Sequence, residues 1–247
     1  MPCAGGSGTP QDLRPLRGAS VSAAGLSALL RSSNTVFLGE AGCGKSELAV
    51  HLALELAEQG KAVHFFDLDQ TKPLMRSRDA EALLADAGAA VHFEQQRADA
   101  PTQVGGLVPL LLDESKNVIL DVGGNDTGAK LIGGCAHLLK NADVWFVVNP
   151  YRPWSATTEH IDGTLSAILR ASRLKTPRFL LNPNLGRDTT AEEYLAGLAQ
   201  GLTLLSPYVA VEAAAVPAAL WAQVRTQTEL PLIPIISRMS VPNTGLD

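Results

Sequence analysis

The stretch Gly39-Glu40-Ala41-Gly42-Cys43-Gly44-Lys45-Ser46 fits the pattern G-x-x-x-x-G-K-[ST] without a mismatch, and each fixed position of that pattern has a mechanical reason. Glycines permit backbone conformations that a Cβ forbids, so successive N–H groups can curl around the oxygens of a di- or triphosphate. Lys45 supplies a mobile charge for the β and γ phosphates and Ser46 a hydroxyl for Mg2+. The helix that starts there, with Glu47 in its first turn, aims the positive end of its dipole at the anion. Such a loop needs a strand before it and a helix after it. Thr35-Val36-Phe37-Leu38 reads as the strand. Leu48, Leu52 and Leu56, with Ala49, Ala53 and Ala57 beside them, predict a helix over 47–59 that Gly60 ends.

At 247 residues the chain suits one α/β domain. The reading is a flexible leader over residues 1–19, rich in Gly, Pro and Ser, then a nucleotide-binding domain over 20–230 and a proline-broken tail over 231–247. A net charge of −5 with no Lys/Arg run makes a DNA-binding surface unlikely. Three cysteines without a C-x-x-C pair give no disulfide framework, which points to a reducing cytoplasm. No basic-then-apolar signal stretch is visible, and no apolar run approaches the roughly 20 residues that span a bilayer, so no membrane role is expected. Cys43 is either a thiol made reactive by the loop's N–H dipoles or a small residue the loop tolerates, and the second reading is preferred. Cys135 with His137 lacks further metal ligands. The five histidines are scattered and read as surface or satisfied residues.

Along the chain, strands are expected at Ala62–Phe66, Ala90–Phe93, Asn117–Leu120, Asp143–Val148, Arg178–Leu181 and, as an edge strand, Val209–Val216. Helices are expected over 20–31, 79–87, 104–112, 131–140, 155–173, 192–201 and 217–228. This alternation implies right-handed βαβ crossovers and a doubly wound, mainly parallel sheet in three layers, α/β/α.

Acidic residues follow two of the buried strands, at the edge that carries the phosphate loop. Asp121 is placed to hold Mg2+ opposite Ser46, and Gly123 and Gly124 leave a flexible loop near a γ-phosphate. Asp69, or with less support Asp67, is placed to orient an attacking water or a metal ligand; both could instead only cap the following turn. Asn182 offers the paired donor and acceptor that suit adenine, and Asn184 could do the same, although Asn-Pro also marks turns.

The ordered motifs FLGEAGCGKSE, FFDLDQTKP, VILDVGG, WFVVNPYRP and FLLNPNLG resemble the CobQ/CobB/MinD/ParA group of P-loop ATPases over Val36 to Gly186. The resemblance implies an ATPase that needs ATP and Mg2+ and commonly works as a homodimer with nucleotide near its interface. It also implies a water-activating carboxylate at Asp67 or Asp69, a second switch at Asp121–Gly124 and a base contact at Asn182. Partition and division members carry a signature lysine early in the loop, where this chain has Glu40. That departure argues against a nucleotide-sandwich dimer and DNA partition. The expected function is an ATP-driven switch acting on a protein partner. Two other classes compete. One is a P-loop kinase, for which only Arg76 and Arg78 offer lid residues. The other is a GTP-dependent metal-delivery protein, which the absence of an N-K-x-D motif disfavours.

Overall fold

The computed structural model describes residues 25–69, 74–93, 106–124 and 126–237. The segment expected to be a leader (1–19), residues 70–73 and Asn125 lie outside the described residues, as do the side chains of Arg76 and Arg78. Eight strands form one sheet in the order β3-β2-β4-β1-β5-β6-β7-β8. They are β1 Asn34–Leu38, β2 Ala62–Leu68, β3 Ala90–Phe93, β4 Lys116–Val122, β5 Asp143–Val148, β6 Arg178–Leu181, β7 Val211–Pro217 and β8 Leu232–Ile235. Every ladder is parallel. The helices are α1 Lys45–Glu58, α2 Leu74–Asp86, α3 Leu107–Leu111, α4 Asp126–Gly133, α5 Thr158–Ser172, α6 Ala191–Leu205 and α7 Ala218–Val224, with short 3-10 turns at Leu26–Leu29 and Pro153–Ser155. The doubly wound α/β expectation is met.

Strand alternation sends side chains to two cores. Phe37, Phe65, Ile119, Trp145 and Val147 pack with α1, α2 and the 3-10 turn at Leu26. Val36, Phe66, Leu120, Phe146 and Val148 pack with α3 to α7. Strand β1 lies between β4 and β5, with Val36, Phe37 and Leu38 wholly buried; each such side chain contributes about 1.5–3 kcal/mol. The loop after β1 therefore grows from a fully buried central strand, at the point where the connections leave in opposite directions.

Several boundaries differ from the sequence reading. Helix α1 begins at Lys45, two residues before the expected start. Strands β2 and β4 run on through Asp67 and Asp121, which sit within strands rather than after them. Helix α4 spans Asp126–Gly133 and not 131–140: after Gly133 and Gly134 the chain makes only i→i+3 turns through Leu139. Gly133 packs on α5, where a Cβ would stand 2.7 Å from the carbonyl oxygen of Ala171. Strand β7 is internal, and the edge strand is β8, inside the region read as a tail. Pro231 and Pro234 hid it, but a proline is tolerated on an edge where no neighbour needs its N–H. Of the helix expected over 20–31, only the turn at Leu26–Leu29 forms among the described residues.

A buried ion network closes the opposite, amino-terminal edge. Arg178 donates to Asp143 (2.6 Å), Glu212 (2.7 Å) and the carbonyl of Leu29 (2.7 Å), and lies over the Trp145 ring at 3.9 Å. Asp143 also accepts from the N–H groups of Arg31 and Ser32. Near the β3 edge, His64 Nδ1 and His92 Nε2 lie 3.1 Å apart with their rings stacked. Burial pushes both pKa values down; Lys116 lowers His64 further while Asp113 opposes it, and His64 lowers His92.

Two outcomes follow for stability. Arg178→Ala leaves the buried Asp143 carboxylate without its charge partner, while Glu212 keeps Arg31, and should cost about 3–5 kcal/mol in chemical denaturation. The histidine pair binds fewer protons folded than unfolded below the ordinary histidine pKa. Its contribution is therefore full above about pH 6.5 and lost as pH falls; urea midpoints at pH 7.5 and 5.5 should differ in that sense, less so in His92→Phe.

Candidate functional site

The phosphate loop is held by side chains of neighbouring loops. Asn182 Nδ2 donates to the carbonyl of Cys43 (2.8 Å), Arg152 Nε to that of Gly42 (3.0 Å) and Trp154 Nε1 to that of Ala41 (3.1 Å). Three successive carbonyls are thus occupied by groups from the loops after β5 and β6. These bonds leave all three carbonyls paired, and the loop closes on itself where the N–H of Cys43 donates to the carbonyl of Glu40 (3.3 Å). Gly44 caps α1 in the left-handed region (φ 96°), and a Cβ there would stand 2.1 Å from Asn182 Nδ2. Only glycine meets both demands.

Glu40, the residue that departs from the partition ATPases, points away from the cradle. Its Oε1 accepts from Thr164 Oγ1 on α5 (2.6 Å) and its Oε2 from the N–H of Ala41 (3.3 Å). Cys43 is wholly buried, and burial drives its thiol up to about 11, partly offset by Lys45. The structure accords with a tolerated small residue and not a reactive thiol. Cys135 is also buried and donates to the carbonyl of Ile132.

The acidic residues converge as expected, in different roles. Lys45 Nζ lies 3.3 Å from Asp69 Oδ2, with both side chains almost buried. Asp67 Oδ1 accepts from the N–H of Asp69 (3.1 Å), forming the turn that directs Asp69 at the lysine. Asp121 is fully buried, in register with Phe37 of β1 and Asp67 of β2, so alternation places it on the face that α1 covers. A Cβ on Gly123 would meet Asp69 Oδ1 at 3.1 Å. One on Gly124 would meet Ala41 N at 2.6 Å and Glu40 C at 2.9 Å, which puts this second loop directly against the first.

A cavity of about 520 Å3 runs from Ala41, Lys45, Ser46, Glu47 and Asp69 past Asn182 and Asn184 to Pro217 and Ile235. Its far wall is the end of β7 and β8, so the segment read as a tail lines the site. Both asparagines face this cavity but are partly committed. Asn182 braces the loop, while Asn184 Oδ1 accepts from the N–H of Gly186 (2.7 Å) and from Thr189 Oγ1 (3.0 Å). Asn149 ties the two loops together by donating to the carbonyl of Asn184 (2.7 Å). Among the described residues no group of three or more His, Cys, Asp or Glu could hold a metal ion. Ser46, Asp69 and Asp121 offer oxygen ligands only, a set that suits Mg2+ completed by phosphate and water.

Sequence reasoning missed Arg152, Trp154, Thr164 and Asn149. The signal available for Asn149 and Arg152 was the NPYRP run after the most β-like strand, which counted toward the family resemblance without roles for its residues.

The chain matches the profile of the CobQ/CobB/MinD/ParA nucleotide binding domain over residues 35–189. No curated protein sequence matches it. Among solved structures it is similar to cell division protein FtsY from Thermotoga maritima (14% identity, 75% of this chain and 63% of that one, TM-score 0.49). It is also similar to the signal recognition particle 54 kDa protein from Aeropyrum pernix K1 in complex with GDP (17%, 69% and 40%, 0.46). A third is the nucleotide-binding protein from Archaeoglobus fulgidus in complex with ADP (17%, 84% and 84%, 0.43). This chain spans less than two thirds of the FtsY and 54 kDa chains.

Because the second loop abuts backbone of the first, Gly124→Ala should displace one of them. The expected cost is about 1–3 kcal/mol, with faster hydrogen exchange at residues 39–46. Gly134→Ala, which meets nothing within 4 Å, should leave that exchange unchanged.

Proposed function

The chain belongs to the CobQ/CobB/MinD/ParA nucleotide binding domain family, and on that premise we propose that it is a Mg2+-dependent ATPase switch acting on a protein partner. The observation that carries this reading is the phosphate loop, held in shape with its carbonyls occupied and with Lys45, Ser46 and Asp69 lining the same cavity.

In this reading Lys45 exchanges Asp69 for the β and γ phosphates. Asp69, released, accepts a hydrogen bond from the attacking water. Asp67 keeps Asp69 oriented through the backbone turn. Ser46 and Asp121 would hold Mg2+, which supplies charge neutralisation between the outer phosphates. Gly123 and Gly124 sit where loss of the terminal phosphate would be felt by the loop that leads into α4. Adenine fits the far end of the cavity beside Asn182 and Asn184, where no N-K-x-D sequence offers the guanine contact. Three cysteines without a C-x-x-C pair support a cytoplasmic location, and no described helix is long and apolar enough to cross a membrane. Glu40, bonded to Thr164 of its own chain, supports a switch whose homodimer, if it forms, does not depend on an early-loop lysine.

Calorimetry with ATP, ADP and GTP, with and without Mg2+, tests the reading. The expected result is Mg2+-dependent binding with ATP preferred over GTP, loss of binding in Lys45→Ala, and retained binding in Asp69→Asn with turnover reduced about 100-fold. Equal behaviour of wild type and Lys45→Ala would sink the nucleotide reading. GTP preference would overturn the base assignment, and labelled phosphate appearing on an acceptor rather than in solution would favour a kinase.

A further inference from the structure

Carboxylates surround the cation of the phosphate loop. Lys45 is paired with Asp69, and Glu47 lines the same cavity. The cavity wall contains two other cations, Arg187 on the loop after β6 and Arg152 on the loop after β5. Only Arg152 touches the phosphate loop. Its Nε donates to the carbonyl of Gly42, and a Cβ on Gly42 would stand 3.6 Å from that Nε and 4.0 Å from Cζ.

The backbone of Arg152 is fixed as well. Its N–H donates to the carbonyl of Asn149 (3.0 Å) and its carbonyl accepts from the N–H of Ser155 (2.9 Å), in a turn anchored by buried Asn149. Among the described residues Nη1 and Nη2 make no hydrogen bond. A guanidinium held by one nitrogen, with its two terminal nitrogens available beside an anion cradle, is arranged for forked recognition of phosphate oxygens. We infer that Arg152 is an intramolecular arginine for the terminal phosphate: it braces the loop through Nε and binds the γ-phosphate through Nη1 and Nη2.

The inference rests on the nucleotide reading above and goes beyond it by separating triphosphate from diphosphate. Trp154 supplies the comparison, since its indole N–H braces the adjacent carbonyl of Ala41 without bringing a charge. A residue that only shaped the loop would affect both nucleotides alike.

The test is binding of full-length wild type, Arg152→Gln, Arg152→Lys and Trp154→Phe to a non-hydrolysable ATP analogue and to ADP, with thermal melts showing that each variant is folded. Loss of the forked bonds predicts at least about tenfold weaker analogue binding in Arg152→Gln, with a clearly smaller loss for ADP, which feels only the lost brace on Gly42. Arg152→Lys should recover part of the analogue affinity, and Trp154→Phe should shift both nucleotides equally. Equal losses for analogue and ADP in Arg152→Gln, or no loss in either, would overturn the inference while leaving the nucleotide reading intact. Wild type binding neither nucleotide would instead remove that reading, and this inference with it.

Discussion

A loop that binds an anion through backbone donors has to dispose of its backbone acceptors, and the rest of this site is arranged around that constraint. Every amide that faces a phosphate brings a carbonyl facing elsewhere, and a buried carbonyl without a partner is costly. Here the partners of three successive carbonyls come from Asn182, Arg152 and Trp154, residues more than a hundred positions away in sequence. They can reach the loop because β5 lies beside β1 and β6 beside β5. The phosphate loop is thus a local motif whose shape is held by distant side chains.

The two acidic loops depend on the same geometry. Parallel register brings Asp67 and Asp121 to neighbouring positions on the face covered by α1, and the short turn after β2 carries Asp69 to Lys45. Gly124 then packs where the backbone of the first loop leaves no room for a side chain. Lys45, Ser46 and Asp69 thereby line one cavity, with Asp67 and Asp121 in register on the strands behind it.

Much of this was legible from residues alone. The loop, the alternating strands and the acidic strand ends are local patterns, and β3, β5 and β6 match their expected bounds. What escaped depended on contacts between distant segments. Asp67 and Asp121 looked like loop residues because polar residues usually end a buried run, yet the ladder continues through both. Strand β8 was hidden by prolines that only an edge position allows. Asn182 was identified as important from its place after a strand, but its bond to Cys43 required knowing which loop lay beside it. Glu40 was noticed as a departure from the family, whereas its bond to Thr164 becomes visible only once α5 is placed.

The sheet order has a consequence for how the molecule acquires its shape. Strands β1 and β2 are joined by α1 but are not neighbours, because β4 lies between them. Neither can complete its ladder on that side until residues 116–122 arrive, and β1 gains its other neighbour only with 143–148. The gap between these two consecutive strands is therefore filled by a strand from much later in the chain, a non-local topology that slows folding. Until then the Gly39–Ser46 segment is an unbraced glycine-rich linker. Its rigidity is a product of assembly, acquired only when the centre of the sheet has formed.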